Sequence, residues 1–149
     1  MAEPRPLRVA VADDDPTTLH HYRQLLTCLG HEVVVTATSG QQLVEGCREA
    51  APDLVITDVK MPELDGIEAA VQINREAPVP VILVSAHHDP DTVARAQADH
   101  AMSYLVKPIK LADLEPAIAL ATSRFAQMLA LRQEADRLRQ ELEDKGPQT

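Results

Sequence analysis

The sequence predicts an α/β fold of the doubly wound kind, in which five strands alternate with five helices. Short aliphatic runs recur along the chain, and each is followed by a helix-start signal and a segment of helical apolar spacing. With 45% hydrophobic but only 2% aromatic residues, the core must be built from Val, Leu, Ile and Ala, as suits a parallel sheet covered by helices. The third observation is length: 149 residues suit one domain of ordinary size plus an appendage.

Leu7 to Ala12 is nearly all apolar and reads as a strand buried on both faces. Asp13, Asp14 and Asp15 follow it. Asp15-Pro16 is a helix start, since the carboxylate caps free backbone N–H groups and Pro presets φ at the first helical position. Leu19, Tyr22, Leu25, Leu26 and Leu29 then point inward, and Gly30 ends the helix. Glu32 to Ala37 is a second strand, and Ser39 opens a helix carrying Leu43, Val44 and Cys47 inward until Pro52.

Leu54 to Asp58 is the third strand. A turn rich in Pro, Asp and Gly leads through Asp65-Gly66 into a helix with Ile67, Ala70, Val71 and Asn74 along one side, its end bracketed by Pro78 and Pro80. Val81 to Ser85 is the fourth strand. Asp89-Pro90 starts a fourth helix running through Val93 to Ala98, with His100 where a Gly would be expected to end it. Ser103 to Val106 is a short fifth strand closed by Lys107-Pro108, and the last helix begins near Leu111.

That helix does not stop where a domain helix would. Ile118, Ala121, Phe125, Met128, Leu131, Ala135, Leu138 and Leu142 recur every three or four residues. Beyond Arg132 the intervening positions are charged or Gln, with Arg132/Asp136, Arg137/Glu141, Arg139/Glu143 and Glu141/Lys145 spaced as i,i+4 pairs. So narrow an apolar seam needs a partner, and a coiled coil is expected. The sequence thus divides into a domain over 1–123, a helical extension over 124–145 and a disordered tail over 146–149. Met1 to Pro6 is expected to be a frayed arm.

A net charge of −9 repels phosphate backbones and argues against nucleic-acid binding by the general surface. Cys28 and Cys47 lack any CxxC spacing and are expected to be buried free thiols. The six histidines, His20-His21 and His87-His88 included, show no metal-ligand spacing and are expected to be exposed. With neither a leader nor an apolar run near the ~18 residues of a membrane span, a cytoplasmic protein is expected.

The chemistry sits at the strand ends. Asp13 and Asp14 follow the first strand, Asp58 ends the third, Ser85 ends the fourth and Lys107 follows the fifth. In a sheet ordered 2-1-3-4-5 the first and third strands adjoin at the topological switch point, and all these groups share one crevice. Three crowded carboxylates repel unless a cation joins them, and hard oxygen ligands in small number describe a Mg²⁺ site better than a zinc site.

These residues carry a resemblance. The Asp13-Asp14 pair, the Asp58 strand with Met61-Pro62-Glu63-Leu64-Asp65-Gly66, the Ser85-Ala86 step and Tyr104-Leu105-Val106-Lys107-Pro108 occur in the order seen in receiver domains of two-component response regulators. The match runs from Leu7 to about Ser123. It implies a flavodoxin-like (βα)5 fold with a five-stranded parallel sheet in order 2-1-3-4-5. It implies that Asp58 accepts a phosphoryl group from a sensor histidine kinase, a phosphotransfer protein or a small phosphodonor. By the same resemblance, Asp13, Asp14, Asp58 and the Lys60 carbonyl hold Mg²⁺, Lys107 pairs with the phosphoryl oxygens and Ser85 donates to them. Tyr104 would swing inward and relay the change to the face formed by the fourth helix, fifth strand and last helix. Lys60 and His87 depart from the commonest family pattern and flank the path of hydrolytic water, where they would tune phosphate lifetime. Such a chain is a signalling module and catalyses only its own phosphorylation and dephosphorylation.

The run Asp113 to Phe125 and the heptad helix after it are similar to receivers of ANTAR antiterminator regulators, in which a coiled coil leads to a small helical RNA-binding domain. Here the sequence ends at Lys145-Gly-Pro-Gln-Thr149, where that domain would begin, so RNA binding is not expected of this chain alone. Three readings follow. The favoured one is a phosphoacceptor that docks partners or forms a homodimer through its last helix. The others are an antiterminator-type RNA regulator that is truncated or acts with a partner, and a phosphorylation-independent scaffold.

Overall fold

The structure is a computed structural model that describes residues 5–86, 90–91, 94–95 and 103–145. In chain order it contains β1 (Arg8–Ala12), α1 (Pro16–Cys28), β2 (Glu32–Ala37), α2 (Gly40–Ala50), β3 (Leu54–Asp58), α3 (Gly66–Glu76), β4 (Val81–Ser85), β5 (Ser103–Val106) and a C-terminal helix (Leu111–Asp144). The strands form one sheet in the order β2-β1-β3-β4-β5, every pair parallel. This is the order implied by the resemblance. Every residue of β3 and β4 is buried, whereas the edge strands β2 and β5 are largely half-exposed.

Alternation along the strands divides the core in two. Val9, Val11, Leu54, Ile56, Ile82 and Val84 face α1 and the C-terminal helix, in one cluster with Leu26 and Leu114. Ala10, Ala12, Val55, Val81 and Leu83 face α2 and α3, packed on Leu43, Val44, Ile67 and Ile73. The small alanines of β1 let α2 approach the sheet.

The helix starts follow the expected signals. Asp15 accepts the Thr17 N–H with Pro16 behind it, Ser39 accepts the Gln42 N–H and Asp65 accepts the Glu68 N–H. Gly30, at φ +85, takes the left-handed turn that closes α1. Asn74 is not simply part of an inward face: its amide donates to the Ala70 carbonyl and its Oδ1 accepts the Val79 N–H, bridging α3 to the approach to β4.

Some expectations fail. Cys28 is exposed, while Cys47 is buried as expected. The buried face of α1 is Leu19, Tyr22 and Leu26, and a residue two positions past Leu26 lies about 200° around the helix, on the solvent side. On the C-terminal helix, Arg137 does pair with Glu141 at 2.6 Å, but it also reaches back to Glu134, and Arg139 lies 3.6 Å from Asp136 rather than beside Glu143.

The C-terminal helix is continuous over 34 residues, about 51 Å at 1.5 Å per residue. Its first turns bury Leu114, Ala117, Ile118 and Ala121 against the sheet. Every residue from 130 to 145 is exposed, with Leu131 at 71% and Leu142 at 72%. No helix among the described residues is long and apolar enough to cross a membrane. Of the predicted fourth helix, Pro90, Asp91, Ala94 and Arg95 are helical, and the rest of it, His87, His88, His100 and the expected tail at 146–149 lie outside the described residues. His20 and His21 are exposed, as expected, whereas His31 is half-buried, its Nδ1 accepting the Leu7 N–H at 3.0 Å.

Candidate functional site

The crevice forms because three backbone hydrogen bonds align the ends of neighbouring strands and a fourth ties in the start of α3. The Asp13 N–H donates to Ala37 O (3.0 Å), the Val59 N–H to Val84 O (3.0 Å), the Lys107 N–H to Ser85 O (2.8 Å) and the Gly66 N–H to Val59 O (2.8 Å). The last of these draws α3 against the end of β3. Gly66 permits that approach, since a Cβ there would stand 2.0 Å from Asp58 O. The turn between them holds Glu63 at φ 72.

Asp13 is fully buried, Asp58 and Ser85 are each 7% exposed, and Asp14 is exposed at the rim. Carboxylate oxygens of Asp13, Asp14 and Asp58 all lie within 4.8 Å of one another. Lys107, on the loop after β5 and before a cis bond to Pro108, reaches both buried acids: its Nζ is 2.7 Å from Asp13 Oδ2 and 3.3 Å from Asp58 Oδ2. The Asp15 N–H donates to the other Asp13 oxygen, Oδ1, at 2.9 Å.

One cation is therefore shared among several anions. Burial raises the Asp58 carboxyl above its usual range; Lys107 pulls it down, Asp13 pushes it up again, and the net shift is upward. Burial pulls the Lys107 ammonium down, yet its bonds to Asp13 and the charges of Asp58 and Asp13 carry it above its ordinary value. A carboxylate held near two others with half a share of one lysine is poised for a second cation. Convergent hard oxygens with one open, exposed side suit a divalent ion such as Mg²⁺, which retains several waters. The residues present therefore fit the metal that the resemblance implies.

The remaining sequence candidates lie around this centre. Ser85 is buried at the end of β4, and Lys60 is exposed two residues after Asp58. Tyr104 is half-buried on β5, beside Leu83 in register and packed on the cluster under α3. His87 lies outside the described residues.

Sequence reasoning treated Tyr22 as plain core. Its ring is indeed 1% exposed, yet its hydroxyl is a buried polar atom without a hydrogen-bond partner, as is Asp13 Oδ2, whose approach to Lys107 is an ion pair outside hydrogen-bond geometry. An unpaired buried hydroxyl costs about 1–3 kcal/mol that a Phe would not incur. Burial first, then the charges of Asp13 and Asp58 and a hydrogen-bonding approach to Asp13, hold the Tyr22 phenol well above its ordinary range, so the hydroxyl faces Asp13 although it falls short of full hydrogen-bond geometry. The signal available in the sequence was a hydroxyl-bearing side chain on an otherwise aliphatic helix face, nine residues after Asp13.

Comparison with known proteins agrees with this geometry. Residues 9–119 match the family described as the response regulator receiver domain. The chain is 42% identical over 140 residues to the transcriptional regulatory protein PdtaR of Mycobacterium tuberculosis, covering 94% of this chain and 68% of that protein. Among solved structures it is similar to a response regulator receiver domain from Clostridium thermocellum, 35% identical with a TM-score of 0.74 over 81% of this chain and 98% of the other. It is also similar to a NarL signal receiver domain from Mycobacterium tuberculosis, 30% identical with a TM-score of 0.73 over 78% of this chain and 95% of the other.

Proposed function

Because this chain belongs to the response regulator receiver family, we propose that it is a phosphoacceptor switch of a two-component system, with Asp58 receiving a phosphoryl group from a sensor histidine kinase or phosphotransfer protein. The observation that carries this reading is the Asp58 carboxylate itself. It is nearly buried at the C-terminal end of β3, in reach of Lys107 at 3.3 Å and clustered with Asp13 and Asp14.

In the transfer, an Asp58 carboxylate oxygen attacks phosphorus, the bond from phosphorus to the donor imidazole nitrogen breaks, and an acyl phosphate forms on Asp58. The protein supplies position and charge rather than further covalent chemistry. Asp13, Asp14, Asp58 and the Lys60 carbonyl would hold Mg²⁺, which when bound offsets negative charge on the phosphoryl oxygens. Lys107 moves from the carboxylates to those oxygens, and Ser85 donates a hydrogen bond to them. Tyr104, half-buried next to β4, then repacks inward and changes the face built from β5, the preceding helix and the C-terminal helix. Lys60 shields the phosphate from water, a role that His87 shares.

The output leaves through the C-terminal helix. We take residues 1–123 as the receiver and 124–145 as an extension that pairs with a second copy, since Leu131, Leu138 and Leu142 are all exposed. The likeness to a transcriptional regulatory protein favours a second reading, in which the output is control of gene expression through an antiterminator-type partner.

The test is direct. Incubation with acetyl phosphate and Mg²⁺ should add one phosphoryl group by intact mass, and Asp58→Asn should abolish the gain. A wild-type chain that gains no mass would favour the scaffold reading instead.

A further inference from the structure

Tyr22 and Asp13 each leave a buried polar atom without a hydrogen bond, and the two residues belong to one neighbourhood. Tyr22 packs with Val9, Val11 and Ile109, on the side of the sheet that carries α1. It also lines a cavity of about 470 Å³ together with Thr17, Thr18, His21 and Lys107. Lys107 in turn is 2.7 Å from Asp13 Oδ2, and Asp13 is also the acid that acts most strongly on the Tyr22 hydroxyl. His21 fixes this side of α1, its Nε2 lying 3.0 Å from Ile109 O just past Lys107.

The two acids and the lysine cannot keep this arrangement once the site is used. A phosphoryl group on Asp58 brings oxygens that compete for the Lys107 ammonium. Asp13 Oδ1 is already committed to the Asp15 N–H, so Oδ2 is the atom that loses its partner. Of the three buried residues of α1, Leu19, Tyr22 and Leu26, Tyr22 alone carries a side-chain donor.

We propose that Tyr22 is a positioning residue of the acid cluster, its hydroxyl donating to Asp13 Oδ2 when Lys107 leaves that oxygen, so that the carboxylate stays aimed at the metal. The proposal rests on the phosphoacceptor reading above and deepens it. An oriented carboxylate binds a divalent ion more tightly than a free one, because the order is already present before the ion arrives. The hydroxyl already interacts with Asp13 in the resting structure, short of full hydrogen-bond geometry, and takes over the oxygen once Lys107 leaves it.

Titration calorimetry of the full chain with Mg²⁺, for wild type and Tyr22→Phe, tests this. Phe keeps the ring and removes the oxygen. With beryllofluoride present, a phosphoryl mimic that draws Lys107 away, the expected result is a Mg²⁺ dissociation constant raised about tenfold, with a thermal midpoint in the absence of metal that is unchanged or higher. Without beryllofluoride, where Lys107 keeps Asp13 Oδ2, the difference should narrow. An equal dissociation constant in both proteins with beryllofluoride present, whatever happens to the melting midpoint, overturns the proposal and leaves Tyr22 a core residue. Tyr22→Leu serves as a second variant, and full affinity there also overturns it. Failure of the wild type to bind Mg²⁺ is a different result: it removes the metal reading itself and this inference with it.

Discussion

Lys107 sits closer to Asp13 than to Asp58, with Nζ 2.7 Å from Asp13 Oδ2 against 3.3 Å from Asp58 Oδ2. In the resting protein the lysine therefore serves first as the counter-ion of a carboxylate with no exposure at all. Removing it strands that charge. Loss of one partner from a buried pair costs several kcal/mol, and the quarter exposure of the Lys107 side chain screens part of it. Lys107→Met should lower stability by about 2 kcal/mol, and Mg²⁺ should restore much of the loss by replacing the missing cation. Thermal melts with and without Mg²⁺ check both halves. An unchanged midpoint without metal would show that Asp13 does not depend on Lys107.

Asp58 makes a pH-dependent contribution of definite sign. Burial and Asp13 outweigh Lys107 and raise its carboxyl above the ordinary 3.8. The folded chain thus holds this proton more tightly than the unfolded chain does. Below 3.8 both states are protonated and the group costs nothing; as pH rises from there through the folded pKa, stability is lost, and it stays lost above. Asp58→Asn never ionises. Its advantage in melting midpoint over wild type should be small in acid, grow through that window and then level off. An advantage that shrinks as pH rises would mean that the folded protein favours the ionised carboxylate after all.

Two glycines should fail for different reasons. Gly66→Ala places a methyl 2.0 Å from Asp58 O and 3.1 Å from Thr57 Oγ1, and backbone must move to relieve it. Gly30→Ala meets open space but is strained by φ +85. Each should cost about 1–3 kcal/mol. Only Gly66→Ala shifts the residue proposed to be phosphorylated, so acetyl phosphate labelling should slow in that variant and stay at the wild-type rate in Gly30→Ala. Equal labelling rates would show that the tight packing behind Asp58 is unrelated to transfer.

The elements were legible because their signals are local. Asp15, Ser39 and Asp65 each cap the helix that the sequence assigned to them, and β2, β3, β4 and β5 run over the expected residues. The sharing of one lysine between two acids was not legible, because it depends on a difference of 0.6 Å between 2.7 and 3.3 Å. Cys28 was misread as lying on the apolar face of its helix, because Leu25 and Leu29 widen that face in the sequence, whereas the face actually buried is Leu19, Tyr22 and Leu26 and the 3.6-residue turn carries Cys28 off it. The partner of Arg139 was misread because an exposed arginine can reach an acid three residues back as readily as one four residues on. Tyr22 escaped notice because helical spacing reports that a side chain is inward and says nothing about what its polar tip meets.

The dimer proposed for the C-terminal helix has an orientation that its charges select. From Met128 onward the seam steps three, four, three and four residues through Leu131, Ala135, Leu138 and Leu142, a regular heptad. The positions just before Ala135 and Leu142 are Glu134 and Glu141, and those just after Leu131 and Leu138 are Arg132 and Arg139. In a parallel, in-register pair the first kind of flank meets the second kind five residues on, so Glu134 faces Arg139 of the other copy. An antiparallel pair would set Glu against Glu and Arg against Arg. The intrahelical bonds now made by Glu134, Glu141 and Arg139 lie on side chains about half exposed or more, and exchanging them for bonds between copies costs little. With exposed Cys28 changed to Ser, Leu131→Cys and Leu142→Cys should each form a disulfide with their own kind under mild oxidation. Antiparallel pairing sets the Leu131 and Leu138 kind of seam position against the Ala135 and Leu142 kind, and would instead link Leu131→Cys to Leu142→Cys in a mixture. Light scattering separates pairing from orientation: a monomeric mass for the unmodified chain rejects the dimer, whereas a dimeric mass with only the mixed link rejects the parallel orientation alone.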